Sequence, residues 1–332
     1  MARVCGGDRG VRVIMTPLFR LPLIFFFSWV FMTLSETLYT VGHALYKTHS
    51  LKEYRRYVVF RIRAWRHRAA LKDLLAFFDA NDFRRQLLEA CPSFFEQATR
   101  GFFYRDSTLD ERIALIKNHV LTLEAVFDHK AMLELYRGKE KTLYSDEIDG
   151  EKLEIKLLFH AGQRKEGCLA MAMSWEGVSL FQIMFRFAKT PDGTPYLAVG
   201  ALQGYPHGGE SVKKLTKAYE GYRPKNLIFF ILRLLSQEVG AAYIEAVTND
   251  GYYAMNHVRL DRKLKTDFSV FWQECEGTPV PGDERFYRIP VEEPRKSLDE
   301  VKSNKRAQYR RRFDKLDAIE DDYHTCVVRL IP

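Results

Sequence analysis

The stretch YLAVGALQGYPHGGESVKKLTKAYEGYRPKNLIFFILRLLSQEVGAAYIEAV, Tyr196 to Val247, decides the fold. YLAVGALQG is a run of small and apolar residues and reads as a buried strand. A long Gly- and Lys-rich connection follows, and Pro224 then sits where a first-turn proline starts a helix without losing a useful donor. NLIFFILRLLSQEVG is apolar on nearly all sides from Leu227 to Leu235, so this helix is expected inside the protein, with Gly240 as its C-cap. AAYIEAV returns as a second buried strand, and a strand, helix, strand unit of this length places its two strands parallel.

Upstream, KLEIKLLFH (Lys152 to His160), CLAMAMSW (Cys168 to Trp175) and VSLFQIMFRF (Val178 to Phe187) have strand character. They are separated by a polar connection at Gly162–Gly167 and turns at Glu176-Gly177 and Pro191-Asp192-Gly193, which makes an antiparallel meander of four strands ending at Gly204. Before Asp149 the period is 3.6 instead, and Thr108 with Glu111 three residues on is a capping box for TLDERIALIKNHVLTLEAVF. The expected class is therefore α+β: a helical N-terminal half, then an antiparallel meander with one parallel crossover. Its segments are an apolar and basic extension (1–50), a helical region (51–148), a mixed α/β domain (149–292) and a charged C-terminal helix and tail (293–332).

The apolar run Leu21 to Leu34 is shorter than the roughly 20 residues a spanning helix needs. It reads as a buried helix, an interfacial anchor or a signal-like segment, and Met15 is an alternative start. Next, LKEYRRYVVFRIRAWRHRAALK (Leu51 to Lys72) interleaves aromatics with cations. It is either a solvated helix packed by its apolar side or a surface for anionic membrane, with Arg61, Arg63 and Arg66 as the anion-facing residues. Near the C-terminus, RFYRIP reads as a late strand and the segment from Ser297 as a charged surface helix.

The chain has 332 residues with a net charge of +8, which favours anionic partners. Nucleic acid is not the expected one, since no recognised motif accompanies the basic stretches at 51–72 and 302–315. The five cysteines and nine histidines lack metal spacing, so no metal is expected, and the scattered thiols suit a cytoplasmic protein, peripheral to the inner membrane if the basic helix docks there.

RIALIKNH (Arg112 to His119), KEGCLAMAM (Lys165 to Met173), VGALQGY (Val199 to Tyr205), KKLTKAYEGYRPKNL (Lys213 to Leu227), FSVFWQE and RFYRIP together resemble the bacterial VirK/YbjX family over roughly residues 60 to 292. The resemblance implies a cytoplasmic or membrane-peripheral protein associated with virulence, antimicrobial-peptide resistance or envelope stress, without an established reaction. On that basis the expected role is a non-catalytic effector that binds a membrane surface or a protein partner.

An enzymatic alternative comes from the architecture, which is similar to that of the GNAT acyltransferases. In that fold the start of the central helix holds the pyrophosphate of acyl-CoA, because a helix N-terminus is an anion site. The reaction would move an acyl group from acyl-CoA to an amine of an envelope precursor or protein, although the usual Q/RxxGxG/A loop is absent. Here Gln203, Gly204, Lys213, Lys214, Lys217, Arg223 and Lys225 are the candidate phosphate or ligand contacts. Glu245, sharing a strand face with Tyr243 and Val247, is either a base with a raised pKa or the partner of an arginine, and Tyr252 and His257 are candidate proton donors.

Overall fold

The computed structural model describes residues 33–47, 49–206, 208–256, 267–327 and 331. Met15, most of the apolar run from Leu21, and His257 lie outside them. Among the described residues seven helices come first: α1 (Leu34–Leu45), α2 (Leu51–Arg66), α3 (Arg68–Asp79), α4 (Asp82–Ala90), α5 (Ser93–Thr99), α6 (Leu109–Val126) and α7 (His129–Tyr136). Polar side chains set their starts: Ser50, Asn81 and Asp128 each accept a backbone N–H of the first turn, and Thr33 with Glu36 and Thr108 with Glu111 close capping boxes.

The strands follow as β1 (Lys141–Ile148), β2 (Glu151–Leu158), β3 (Leu169–Trp175), β4 (Val178–Lys189) and β5 (Pro195–Gly204). Then come α8 (Gly209–Ala218), α9 (Pro224–Glu238), β6 (Ile244–Val247), α10 (Phe268–Glu274), β7 (Thr278–Val280), β8 (Asp283–Ile289) and α11 (Arg306–Val327). One sheet takes the order β1-β2-β3-β4-β5-β6-β8-β7. Neighbours through β5 are antiparallel, β5 and β6 are the parallel pair, and β8 returns antiparallel to β6. The protein is thus α+β, with the meander and the single crossover that the sequence pattern implies.

Four features go beyond what the pattern shows. The meander has a fifth strand, β1, whose two buried residues Leu143 and Tyr144 are consecutive because a bulge interrupts the pairing between Thr142 and Tyr144, which erases the period of two. The Lys-rich connection contains α8, held down by Leu215 with Tyr219 just beyond its end. FSVFWQE is a helix, α10, capped by Asp267 and pinned by Trp272, whose indole N–H donates to the Val247 carbonyl at 2.8 Å. The charged α11 begins at Arg306 and is not wholly solvated, since Leu316, Ile319 and Tyr323 bury one side of it.

Helices α6 and α9 both pack on β4, and α9 also meets β3 and β5. Pro224 occupies the first turn of α9, and its residues from Leu227 to Ser236 are all buried; Gly240, at φ +66°, ends it. One continuous apolar core runs from Leu38 of α1 to Tyr323 of α11.

Two glycines let the segment before β3 lie directly on the sheet. A Cβ at Gly167 would meet the Phe185 backbone nitrogen at 2.6 Å, and one at Gly200 would overlap the Glu166 carbonyl oxygen and the Phe103 ring. Gly200→Ala therefore has to displace backbone, which is expected to cost about 1–3 kcal/mol or more. Urea unfolding checks this; an unchanged midpoint would show that the approach is not tight.

Candidate functional site

Strand β5 outruns β6. Their pairing ends at Val199 with Ala246, so residues 200–204 have β4 on one side and, among the described residues, no strand on the other. At that overhanging end Gln203 donates from Nε2 to Glu166 Oε2 at 2.7 Å, and its Oε1 faces the amide nitrogens of Gln163 at 3.3 Å and Gln182 at 3.4 Å. The Tyr252 hydroxyl donates to the other Glu166 oxygen at 2.5 Å, and the Tyr205 hydroxyl donates to Gln182 Oε1 at 2.9 Å. Glu166 is 2% exposed. Burial pushes its carboxyl up to about 7, with Tyr252, Gln203 and Lys165 opposing the rise.

Two of the sequence candidates, Gln203 and Tyr252, thus meet on Glu166, a carboxylate that is not among those candidates. The available signal was KEGC itself: an acidic residue just before a strand with no solvated face.

The other candidates are dispersed. Glu245 lies on β6 opposite Arg288, with its carboxyl raised by burial against the influence of Arg186 and Arg288. Arg186 is itself buried, between the Phe103 and Tyr196 rings. Gly204 closes β5 over the Phe181 ring. Lys214 pairs with Glu151 beside Trp175, while Lys213 and Lys217 are exposed on α8. At the start of α9, Arg223 pairs with Glu274 at 2.5 Å, and Lys225 lies 3.8 Å from the Phe271 ring centroid, its amine lowered to about 8 chiefly by burial.

Charge concentrates elsewhere, along α2. At roughly 100° per residue, Leu51, Tyr54, Val58, Ile62 and Trp65 fall within about 80° of one another on this helix. Leu51 is 91% exposed, Trp65 68%, and Tyr54 and Ile62 54% each. By the same geometry Arg55 and Arg66 border the stripe on one side and Arg61 on the other. The opposite side of α2 carries the buried Phe60 and Ala64.

The flank between those sides walls a cleft of about 510 Å³. Lys52, Arg55, Arg56 and Arg63 of α2 line it, together with Arg100 after α5 and the adjacent Arg164 and Lys165. Two carboxylates also line it, Glu53 and Glu96. Glu96 is 1% exposed and accepts from Arg164 at 2.5 Å, Arg100 at 2.6 Å and the Tyr46 hydroxyl at 2.8 Å. Burial works to raise its carboxyl, but Arg164, Arg100 and Tyr46 outweigh that and hold it below the usual range. Lys165 shows the opposite balance: burial, then the charge of Arg100, lowers its amine to about 8.

Among the described residues no group of His, Cys, Asp and Glu is placed to hold a metal ion, and no helix is long and apolar enough to cross a membrane.

The fold and these features define an α+β protein with a buried polar network beside a basic cleft. The chain belongs to the family described as a protein of unknown function (DUF535), whose model matches residues 49–325. It is 31% identical over 221 residues to the uncharacterized protein YbjX of Escherichia coli (strain K12), covering 61% of this chain and 66% of that one. An uncharacterized protein of Haemophilus influenzae is 28% identical over 130 residues, 38% of this chain and 42% of its own. The matched region is thus just under two thirds of the first relative and under half of the second. A Mannheimia haemolytica protein named membrane protein LapB is 24% identical over 196 residues, 58% of this chain and 81% of its own. No solved structure matches.

The Glu166 carboxyl has a measurable consequence. An unfolded glutamate ionises near 4.5 and the folded one near 7. Between those values the unfolded chain has released a proton that the folded chain keeps, so this group's contribution to stability falls as pH rises through the window and is level above it. Glu166→Gln removes that fall. Relative to wild type the variant is expected to gain on the order of a few kcal/mol between pH 5 and pH 8. Urea midpoints at the two pH values check it, and a pH-independent difference would refute the assignment.

Proposed function

We propose that the protein is a non-catalytic, peripheral binder of anionic membrane surfaces, with α2 as its docking helix. The observation that carries this is the exposed stripe Leu51, Tyr54, Ile62 and Trp65 on a helix whose flanks carry arginine. Large apolar side chains left in water at helical spacing gain free energy by entering the headgroup boundary, and tryptophan and tyrosine suit that depth. Six cations on α2 against Glu53 supply the attraction, at about 1 kcal/mol per cation near an anionic surface. The chain's net charge of +8 acts in the same direction. The apolar run from Leu21 adds a second membrane signal in the sequence, and the name of the Mannheimia relative, membrane protein LapB, is compatible with this reading. The cations at the α9 start are engaged by Glu274 and Phe271, so the reading rests on α2. The antimicrobial-peptide resistance and envelope-stress role that the VirK/YbjX resemblance implies would then be exerted from the cytoplasmic face of the membrane.

Co-sedimentation with vesicles tests the proposal. Wild type is expected to pellet with phosphatidylglycerol vesicles at low salt, to be released at high salt, and to ignore phosphatidylcholine. Two variants should each reduce pelleting: Ile62→Ser with Trp65→Ser removes burial, and reversing Arg61, Arg63 and Arg66 to Glu removes attraction. The two serine sites are exposed, so that variant should keep the native melting temperature. Wild-type pelleting in both variants would overturn the proposal.

A further inference from the structure

The cleft between α2, the end of α5 and the Gly162–Lys165 segment is not explained by membrane docking. Its seven cations face two carboxylates. Arg56 pairs with Glu53, and Arg100 and Arg164 share Glu96. Among the described residues, Lys52, Arg55, Arg63 and Lys165 form no ion pair with a carboxylate. The walls therefore hold several unneutralised positive charges around one space, an arrangement that repels itself unless an anion enters.

The site is also built. Arg100 and Arg164 are oriented by a carboxylate that is almost completely buried and further held by the Tyr46 hydroxyl. Their conformations are thus set before any ligand arrives, which lowers the entropy cost of binding. Leu45, Val59 and Phe60 supply an apolar part of the wall. A volume of about 510 Å³ exceeds what one inorganic anion fills and falls in the range of small-molecule sites, roughly 300–1,000 Å³.

We propose that this cleft binds a ligand bearing a pyrophosphate or two phosphate groups, with Lys165, Arg55 and Arg63 as contacts and Arg100 and Arg164 as the pre-oriented wall. Phosphate fits better than carboxylate because guanidinium forks match its oxygens two at a time and because a polyanion is needed to balance the excess charge. The inference does not rest on the membrane reading, since the probe is soluble and the stripe on α2 lies on another side of the helix.

Calorimetry on the full chain with inorganic pyrophosphate tests it, with sodium sulfate at matched ionic strength as the control. Saturable binding to pyrophosphate is expected, stronger than to sulfate. Lys165→Gln and Arg55→Gln should each weaken it by about tenfold or more, as loss of one charged hydrogen bond implies. Lys139→Gln with Lys296→Gln, neither of which lines the cleft, should leave it unchanged, and so should Ile62→Ser with Trp65→Ser, which keeps this outcome separate from that of the vesicle experiment. Arg55 is exposed, so its variant reports on binding even if the Lys165 change disturbs folding. Competition between pyrophosphate and vesicles containing diacylglycerol pyrophosphate would assign the cleft to a lipid-borne pyrophosphate; undiminished pelleting at saturating pyrophosphate would assign it to a soluble compound with a pyrophosphate or two phosphate groups. Absence of saturable pyrophosphate binding, or equal affinity in the Lys165 and Arg55 variants, would overturn the proposal.

Discussion

The Glu166 carbonyl oxygen occupies space that any side chain at position 200 would need. That close approach organises the surroundings. Backbone groups of the same segment tie it to the helical half: the Phe103 N–H donates to the Lys165 carbonyl at 2.8 Å, and the Gln97 amide donates to the Arg164 carbonyl at 2.6 Å. With the backbone held on both sides, neighbouring side chains separate. Lys165 lines the cleft, while Glu166 meets Gln203 and Tyr252. One short connection between strands thus joins a basic surface to a buried acid.

The segments that carry the family resemblance are largely the joints of this architecture. His119, at the end of RIALIKNH, is completely buried and its Nδ1 accepts from the Phe187 N–H at 3.2 Å. The ring proton is therefore on Nε2, donated to the Tyr136 hydroxyl at 2.7 Å, which in turn donates to the Cys168 carbonyl at 3.1 Å. Burial, then the nearby Arg186, lowers the imidazole to about 3, so it is neutral and serves as a fixed link between α6, α7 and the sheet. Buried polar groups with complete partners specify a unique packing, and KEGC and LQG do the same at the other end of β4.

Much of this was legible in the chain. Alternating apolar residues marked β2 to β4, and the small-residue run YLAVGALQG marked β5, because a strand with no solvated face carries no polar alternation. Pro224 and Gly240 bracketed α9 through backbone geometry that few other residues share. Where local signals competed, legibility ended: the bulge hid β1, and dense lysines hid the single apolar side of α8. The basic character of α2 was visible, but which of its cations share a cavity with Arg100 and Arg164, far along the chain, was not.

The sequence by itself determined the class of fold, the crossover and the excess of positive charge, because these follow from periodicity, turn chemistry and composition, all local or additive properties. Only the tertiary structure decided that Glu166 is buried against Gln203 and Tyr252, that Arg223 already has a carboxylate partner in Glu274, and that α2 leaves Trp65 and Ile62 in water. Each of these depends on which distant segments come into contact. Burial, and with it the protonation of an acid or the freedom of a cation, is set by that contact and not by the residues on either side.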